Sequence, residues 1–274
     1  MESIRRLHEE ILKREYKAEK QRKEEMRYDQ MDCLLLAGEE KTERTIPVCE
    51  TVFPEKFADL NAVREVLLTP EKQVYALIAP AFMGQFGEGV SPGAIRAALK
   101  CAGFSGMVEV AVFADILTLK EALEFDRHVN RDTDFLLTSC CCPVWVSMIR
   151  NIYGELVPYM PGAVSPMIAA GRAVKKMHPD AVTVFIGPCL AKKKEAKEPD
   201  ICDAIDVVLT FQETAMLFEA MGIAPQQMEE DASEHSSGAG RIYARTGGVS
   251  EAVVRTVEQL HPGRKIAVRP MQAD

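Results

Sequence analysis

The stretch "QVYALIAPAF", residues 73–82, is an apolar run broken by a proline near its end. It carries no charge and no polar alternation, so it predicts a strand buried on both faces. "VEVAVFAD" (108–115), "AVTVFIGPC" (181–189) and the start of "DVVLTFQETAMLFEAMGI" (206–223) have the same texture. "DFLLTSCCC" (134–142) is read as a further strand running straight into three cysteines. Helical patterns lie between these runs: "SPGAIRAALKCAGF", with Pro92 near its start and Gly103 at its end, "TLKEALEFDRHV" and "SPMIAAGRAVKKM". Continuous apolar strands alternating with helices predict an α/β fold, with parallel sheet covered by helices on both faces. Ligands in such folds sit beyond the carboxyl ends of the strands. "TSCCCP" and "GPC" are both expected there.

Upstream, "DLNAVREVLLTP" (59–70) reads as a short amphipathic helix stopped by Pro70. Residues 2–28 are mostly charged, with opposite charges three and four apart. They predict a solvated helix, serving as a connector or as a partner-binding helix. The chain is therefore divided into a charged helical extension, 1–72, and a main region, 73–274. Downstream, "APQQMEEDASEHSSG" (224–238) is a polar surface loop. "GAGRIYARTGGVSEAVVRT" (238–256) places Gly247-Gly248 at a tight turn opening a helix, where the backbone comes close to a ligand. The lysine-serine/threonine pattern of a phosphate loop is missing from it.

With 274 residues, 47% of them hydrophobic, the chain can bury a large core. A net charge of -8 argues against nucleic acid and anionic membranes as partners. No apolar run is long enough to span a membrane, and the N-terminus has no apolar signal region, so a cytoplasmic protein is expected. Eight cysteines stand at 33, 49, 101, 140, 141, 142, 189 and 202. In a cytosolic chain of this size they point to metal or redox work rather than to a disulfide scaffold. Thiolates hold iron–sulfur clusters, zinc or copper(I). Cys142 is followed by a proline, and Cys189 is preceded by Pro188. If a helix starts at Cys189, then Lys192 and Glu195 share its face, either as a solvated pair or as groups serving the thiolate. Glu121 and Glu124 share a helix face too, as a proton relay or as an exposed acidic patch beside Lys120 and Arg127. A cysteine nucleophile is a weaker idea, because no histidine lies near the triplet in sequence.

"TSCCCPVW" resembles the "TSCCPxW" motif of the iron-only hydrogenases, and "GPCLAKKKE" resembles their "MPCxxKxxE" motif. "IAPAF", "FADILTLKEALEF", "YGELVPYMPGAVSP", "DVVLTFQETAML" and "SSGAGRIYARTGGVSEAVVRT" follow the same catalytic domain in order, over roughly residues 73–260. The resemblance implies a two-lobed fold. It implies reversible formation of hydrogen from two protons and two electrons, exchanged with an electron donor or acceptor protein. The implied cofactors are a 4Fe-4S cluster and a diiron subsite with carbonyl and cyanide ligands. Carried over residue by residue, Cys142 and Cys189 are cluster ligands, Cys141 is the proton-transfer thiol, and Glu121 and Glu124 line the proton channel. Lys192 stands near the diiron cyanide with Glu195 supporting it. Ala79, Pro80 and Ala81 line the diiron pocket, with Tyr243 and Ala244 nearby. Cys140 takes the place of the motif's serine, or the register slips by one.

Several positions depart from the pattern. Pro161 falls where a relay serine is expected, which interrupts that channel. Gly187 replaces the methionine of "MPC", which is expected to loosen packing at the pocket. Met167 replaces a glutamine, and Ala244 a glycine. Such changes resemble the hydrogen-sensing members. The third motif, "ExMxCxxGCxxGGG", is not found before Asp274, so two further cluster ligands and the bridging cysteine are missing. That suggests a truncated product, a fragment or half of a split protein. The alternative expectation is a non-catalytic iron–sulfur or protein-interaction module of the same fold.

Overall fold

The computed structural model of the chain describes residues 49, 51–131, 133–231, 241–263 and 265–267. The charged segment 2–28 and residues 232–238 of the acidic loop lie outside the described residues. Four strands, β1 (Val74–Ile78), β2 (Gly106–Glu109), β3 (Val182–Gly187) and β4 (Val207–Thr210), form one sheet in the order β2-β1-β3-β4. Every pairing is parallel. All five residues of β1 are buried, as an uninterrupted apolar run requires when helices cover both faces.

The crossovers supply the helices. Helix α1 (Ala58–Leu67) precedes β1 and buries Leu60, Val63 and Leu67. Between β1 and β2 runs α2 (Pro92–Cys101), where the Ser91 side chain accepts from Ala94 N and Pro92 occupies the first turn. Helices α3 (Ala111–His128), α4 (Pro143–Ile152) and α5 (Pro166–Met177) lie between β2 and β3. The short α6 (Ala191–Glu195) joins β3 to β4. Helix α7 (Phe211–Ala220) follows β4 behind a capping box made by Thr210 and Glu213. Helix α8 (Gly248–Leu260) packs Val253 and Val257 against Ala122 of α3.

Two expected strands are corrected. In "VEVAVFAD" only the first two residues belong to the sheet, because Val110 N makes the last bond to Ile78 O and a helix begins at Ala111. That helix buries Ala111 and Ala114 completely, so the apolar run is one short strand followed by a core-facing helix turn. "DFLLTSCCC" joins no sheet at all. It is an irregular segment on which Leu137 N bonds Tyr159 O, outside any ladder.

The Gly247-Gly248 turn is also revised. Gly247 has φ of 74°, as a tight turn needs, but the close approach at Gly248 is to the chain's own backbone. A Cβ there would lie 2.0 Å from the Ile242 carbonyl oxygen, so the glycine serves internal packing rather than a ligand. Residues just before this turn are tied to the sheet. Arg241 makes a bidentate pair with Glu109 at the end of β2, with N···O distances of 3.0 and 3.2 Å. Arg96 of α2 stands 3.6 Å from the same buried carboxylate.

Candidate functional site

The strand order reverses between β1 and β3, the two neighbours from which the chain proceeds in opposite directions across the sheet. A crevice at the carboxyl ends of such a pair is the usual ligand position. Ala79, Pro80 and Ala81 leave β1 there, and Gly187, Pro188 and Cys189 leave β3. The two turns are joined directly, since Ala79 N donates to Ile186 O at 2.8 Å. Ala79 is buried, while Pro80 and Ala81 are half-buried.

The space beside Gly187 is filled rather than loosened. A Cβ there would meet the Phe185 ring at 2.6 Å and the Ala79 Cβ at 3.3 Å. Phe185 lies two residues back on the same face of β3 and leans into the room a larger side chain would take. The expectation of slack at this position is therefore corrected.

Cys189 precedes α6, and the Lys192 amide bonds back to its carbonyl. Lys192 is buried and its Nζ reaches two acceptors. One is Glu195 Oε2 at 2.6 Å, the expected same-face partner. The other is the Cys141 carbonyl at 2.7 Å, which joins the "GPC" turn to the cysteine triplet. The solvated alternative for this lysine and glutamate therefore fails, because both are nearly out of water. Two of the three ammonium protons are thus accounted for.

The triplet is spread in three directions. Ser139 is the only described non-glycine residue with a left-handed φ, 83°, and it turns the chain just before the first thiol. Cys140 Sγ donates to Glu121 Oε1 at 3.1 Å and lies 3.5 Å from the Val164 carbonyl. Cys141 is half-buried, with its Sγ 3.3 Å from Ser139 Oγ. Cys142 is exposed at the entrance to α4, with Pro143 in the first turn. Burial pushes the Cys140 thiol far above its ordinary value, and the Glu121 carboxyl adds to the effect. Burial also raises Cys141, partly offset by Ser139 and Lys192. Neither thiol has the electropositive, exposed surroundings of a reactive thiolate.

Glu121 is 2% exposed, so the acidic-patch alternative fails for it. Burial raises its pKa, and hydrogen bonds from Cys140 and the Ser139 backbone oppose that rise. Glu124 is half-buried and its Oε1 accepts from Gly162 N at 3.3 Å. The proline at 161 thus stands next to an amide that engages the outer carboxylate. Tyr243 bonds Thr118 Oγ1 at 2.6 Å, and its hydroxyl is pushed above the ordinary phenol value by burial and by nearby Glu121 and Cys141. Thr118 was not singled out from the sequence; its i−3 spacing from Glu121 is the signal that could have found it. Ala244 is exposed.

All seven described cysteines are free thiols. Among the described residues, no three His, Cys, Asp or Glu side chains are gathered to hold a metal ion. A cubane iron–sulfur cluster takes four thiolates. Cys142 and Cys189 by themselves do not make up that set.

The fold is that of an α/β protein with a parallel sheet, whose switch point carries the cysteine triplet, Cys189 and a buried lysine. The chain belongs to the iron-only hydrogenase family: residues 72–272 match the family described as "Iron only hydrogenase large subunit, C-terminal domain". It is 32% identical to Iron hydrogenase 1 of Clostridium pasteurianum over 222 residues, which covers 73% of this chain and 39% of that protein. It is 31% identical to the NADP-reducing hydrogenase subunit HndD of Solidesulfovibrio fructosivorans over 251 residues, or 81% of this chain and 43% of that subunit. The fold is similar to that of apo FeFe-hydrogenase HydA1 from Chlamydomonas reinhardtii, with a TM-score of 0.59 and 25% identity. That match covers 77% of this chain and 61% of the other. The chain thus spans less than half the length of these two sequence relatives. No described helix is long and apolar enough to cross a membrane.

Proposed function

We propose that this chain forms the proton-handling half of a hydrogenase centre that interconverts hydrogen with two protons and two electrons. The observation that carries this is Lys192, just past the "GPC" turn, whose buried ammonium pairs with Glu195 at 2.6 Å and reaches the Cys141 carbonyl of the triplet at 2.7 Å. It brings the two motifs into one site, with a positive charge where anionic ligands would lie. In this function Cys142 and Cys189 supply two thiolates of a 4Fe-4S cluster, and further thiolates complete it. When bound, the diiron group with its carbonyl and cyanide ligands supplies the redox chemistry. Cys141 holds a proton at its Sγ, Glu121 and Glu124 move protons between that thiol and solvent, and Ala79, Pro80 and Ala81 wall the pocket. Glu195 orients Lys192, and Tyr243 with Ala244 contributes to the cofactor pocket. An electron donor or acceptor protein is the partner, and a reducing cytoplasm suits the free thiols.

The test is maturation of the chain, in its native assembly, with the diiron cofactor. Carbonyl and cyanide infrared bands and hydrogen/deuterium exchange are expected. Absence of both overturns the proposal. A second reading, a non-catalytic iron–sulfur or interaction module, draws on Pro161, which has no hydroxyl at the relay position. It requires Cys142→Ala to alter cluster or partner binding, with exchange absent in the unmutated protein. A hydrogen-sensing role draws on Pro161, where a hydroxyl relay would stand. It would appear as slow exchange in an assembly whose infrared bands are normal.

A further inference from the structure

Cys140 is the thiol to which neither motif gives work, and its Sγ is hydrogen-bonded to a buried carboxyl. The left-handed turn at Ser139 swings its Sγ inward, away from the direction taken by exposed Cys142. There it meets Glu121 Oε1 at 3.1 Å, with the Val164 carbonyl at 3.5 Å as a second acceptor. The other carboxylate oxygen, Glu121 Oε2, is buried and has no hydrogen-bond partner among the described residues. Cys140 is the side-chain donor to this buried carboxyl, acting beside the Ser139 backbone. A carboxyl held at one oxygen leaves the second free to meet a proton donor or acceptor.

We propose that Cys140 is a positioning residue for Glu121: its S–H fixes one carboxyl oxygen so that the unpartnered oxygen stays presented to the centre of the site. Cys140 acts here as a neutral hydrogen-bond donor and transfers nothing itself. The hydrogen bond is independent of the hydrogenase assignment; its consequence for proton delivery rests on it. Other groups act on the same carboxyl. Glu124 and Lys120 do so from α3, Ser139 and Cys141 from the loop, and Tyr243 from the segment before α8.

The experiment uses the full chain without the diiron group. The S–H stretch of Cys140, identified as the band lost in Cys140→Ala, is expected at the low wavenumber of a bonded thiol. It should move up in Glu121→Ala. The infrared carboxyl band of Glu121, identified by its loss in Glu121→Gln, should titrate at a higher pH in Cys140→Ala, because a donor to the ionised form is gone. It should return toward the unmutated midpoint in Cys140→Ser, which restores a donor. A thiol band indifferent to Glu121→Ala, or a Glu121 midpoint indifferent to Cys140→Ala, overturns the inference. If Cys140→Ala does not fold, Glu121→Ala reads the same bond from the other side. If the bands behave as expected but the matured assembly shows neither exchange nor carbonyl bands, the hydrogenase proposal fails and the positioning role stands.

Discussion

Two turns build the site, and they are held in different ways. The turn after β3, with Gly187, Pro188 and Cys189, continues a parallel ladder whose register runs to Gly187 opposite Thr210. The cysteine segment, residues 134–142, has no ladder. It is pinned by single contacts from separate elements: Leu137 to Tyr159, Thr138 to Ser250, Cys140 to Glu121 and Cys141 to Lys192. A ladder is cooperative and tolerant of side-chain change, whereas point contacts can be removed one at a time. The first turn is therefore scaffold and the second is adjustable.

Lys192 is where the two meet, and its loss should have the largest effect. Lys192→Ala leaves Glu195 buried without its partner and releases the triplet, a destabilisation of about 3–5 kcal/mol. Chemical denaturation measures it, and a change under 1 kcal/mol would mean the bridge does not couple the turns. Next is the scaffold itself. Gly187→Met drives a side chain into the Phe185 ring and should cost about 1–3 kcal/mol. Phe185→Leu added to it should recover most of the loss, because the smaller side chain vacates that room. Failure to recover would place the strain elsewhere.

On the adjustable side, Ser250→Ala removes the hydroxyl 2.6 Å from Thr138 and should cost about 0.5–1.5 kcal/mol. Thermal melting would register it, and amide exchange should rise around 137–141 while the sheet stays protected. The smallest effect is pH-dependent. The folded pKa of Glu121 is raised above its ordinary value, so its contribution to stability is present below the unfolded pKa and is lost as pH rises through the folded one. Glu121→Gln should therefore gain stability relative to the unmutated protein at neutral pH, and the gain should vanish in acid. A constant difference across pH would show that burial does not raise the pKa of this carboxyl.

Sheet and helices were readable where the sequence pattern admits one answer. Val74–Ile78 is apolar, short and stopped by proline, and it is a central strand. Pro92 and Gly103 mark the ends of α2 by backbone chemistry alone. "VEVAVFAD" departs from the expected strand because a continuous apolar run fits a buried strand and a buried helix turn equally well. "DFLLTSCCC" departs from the expected strand because extended, apolar sequence becomes sheet only if a strand edge is there to pair with, and the sequence does not report edges.

The site divides along the same line. The cysteine and lysine types, their spacing and the family resemblance were all present in the linear chain, because thiolate chemistry and turn chemistry are properties of the residues themselves. That Lys192 spans to Cys141, that Phe185 fills the room beside Gly187, and that Cys140 rather than its neighbours meets Glu121 were decided only by the tertiary structure. Each depends on where a side chain from one element lands on another. That position is fixed by packing distance and by the need to satisfy buried polar groups, neither of which has a signature along the chain.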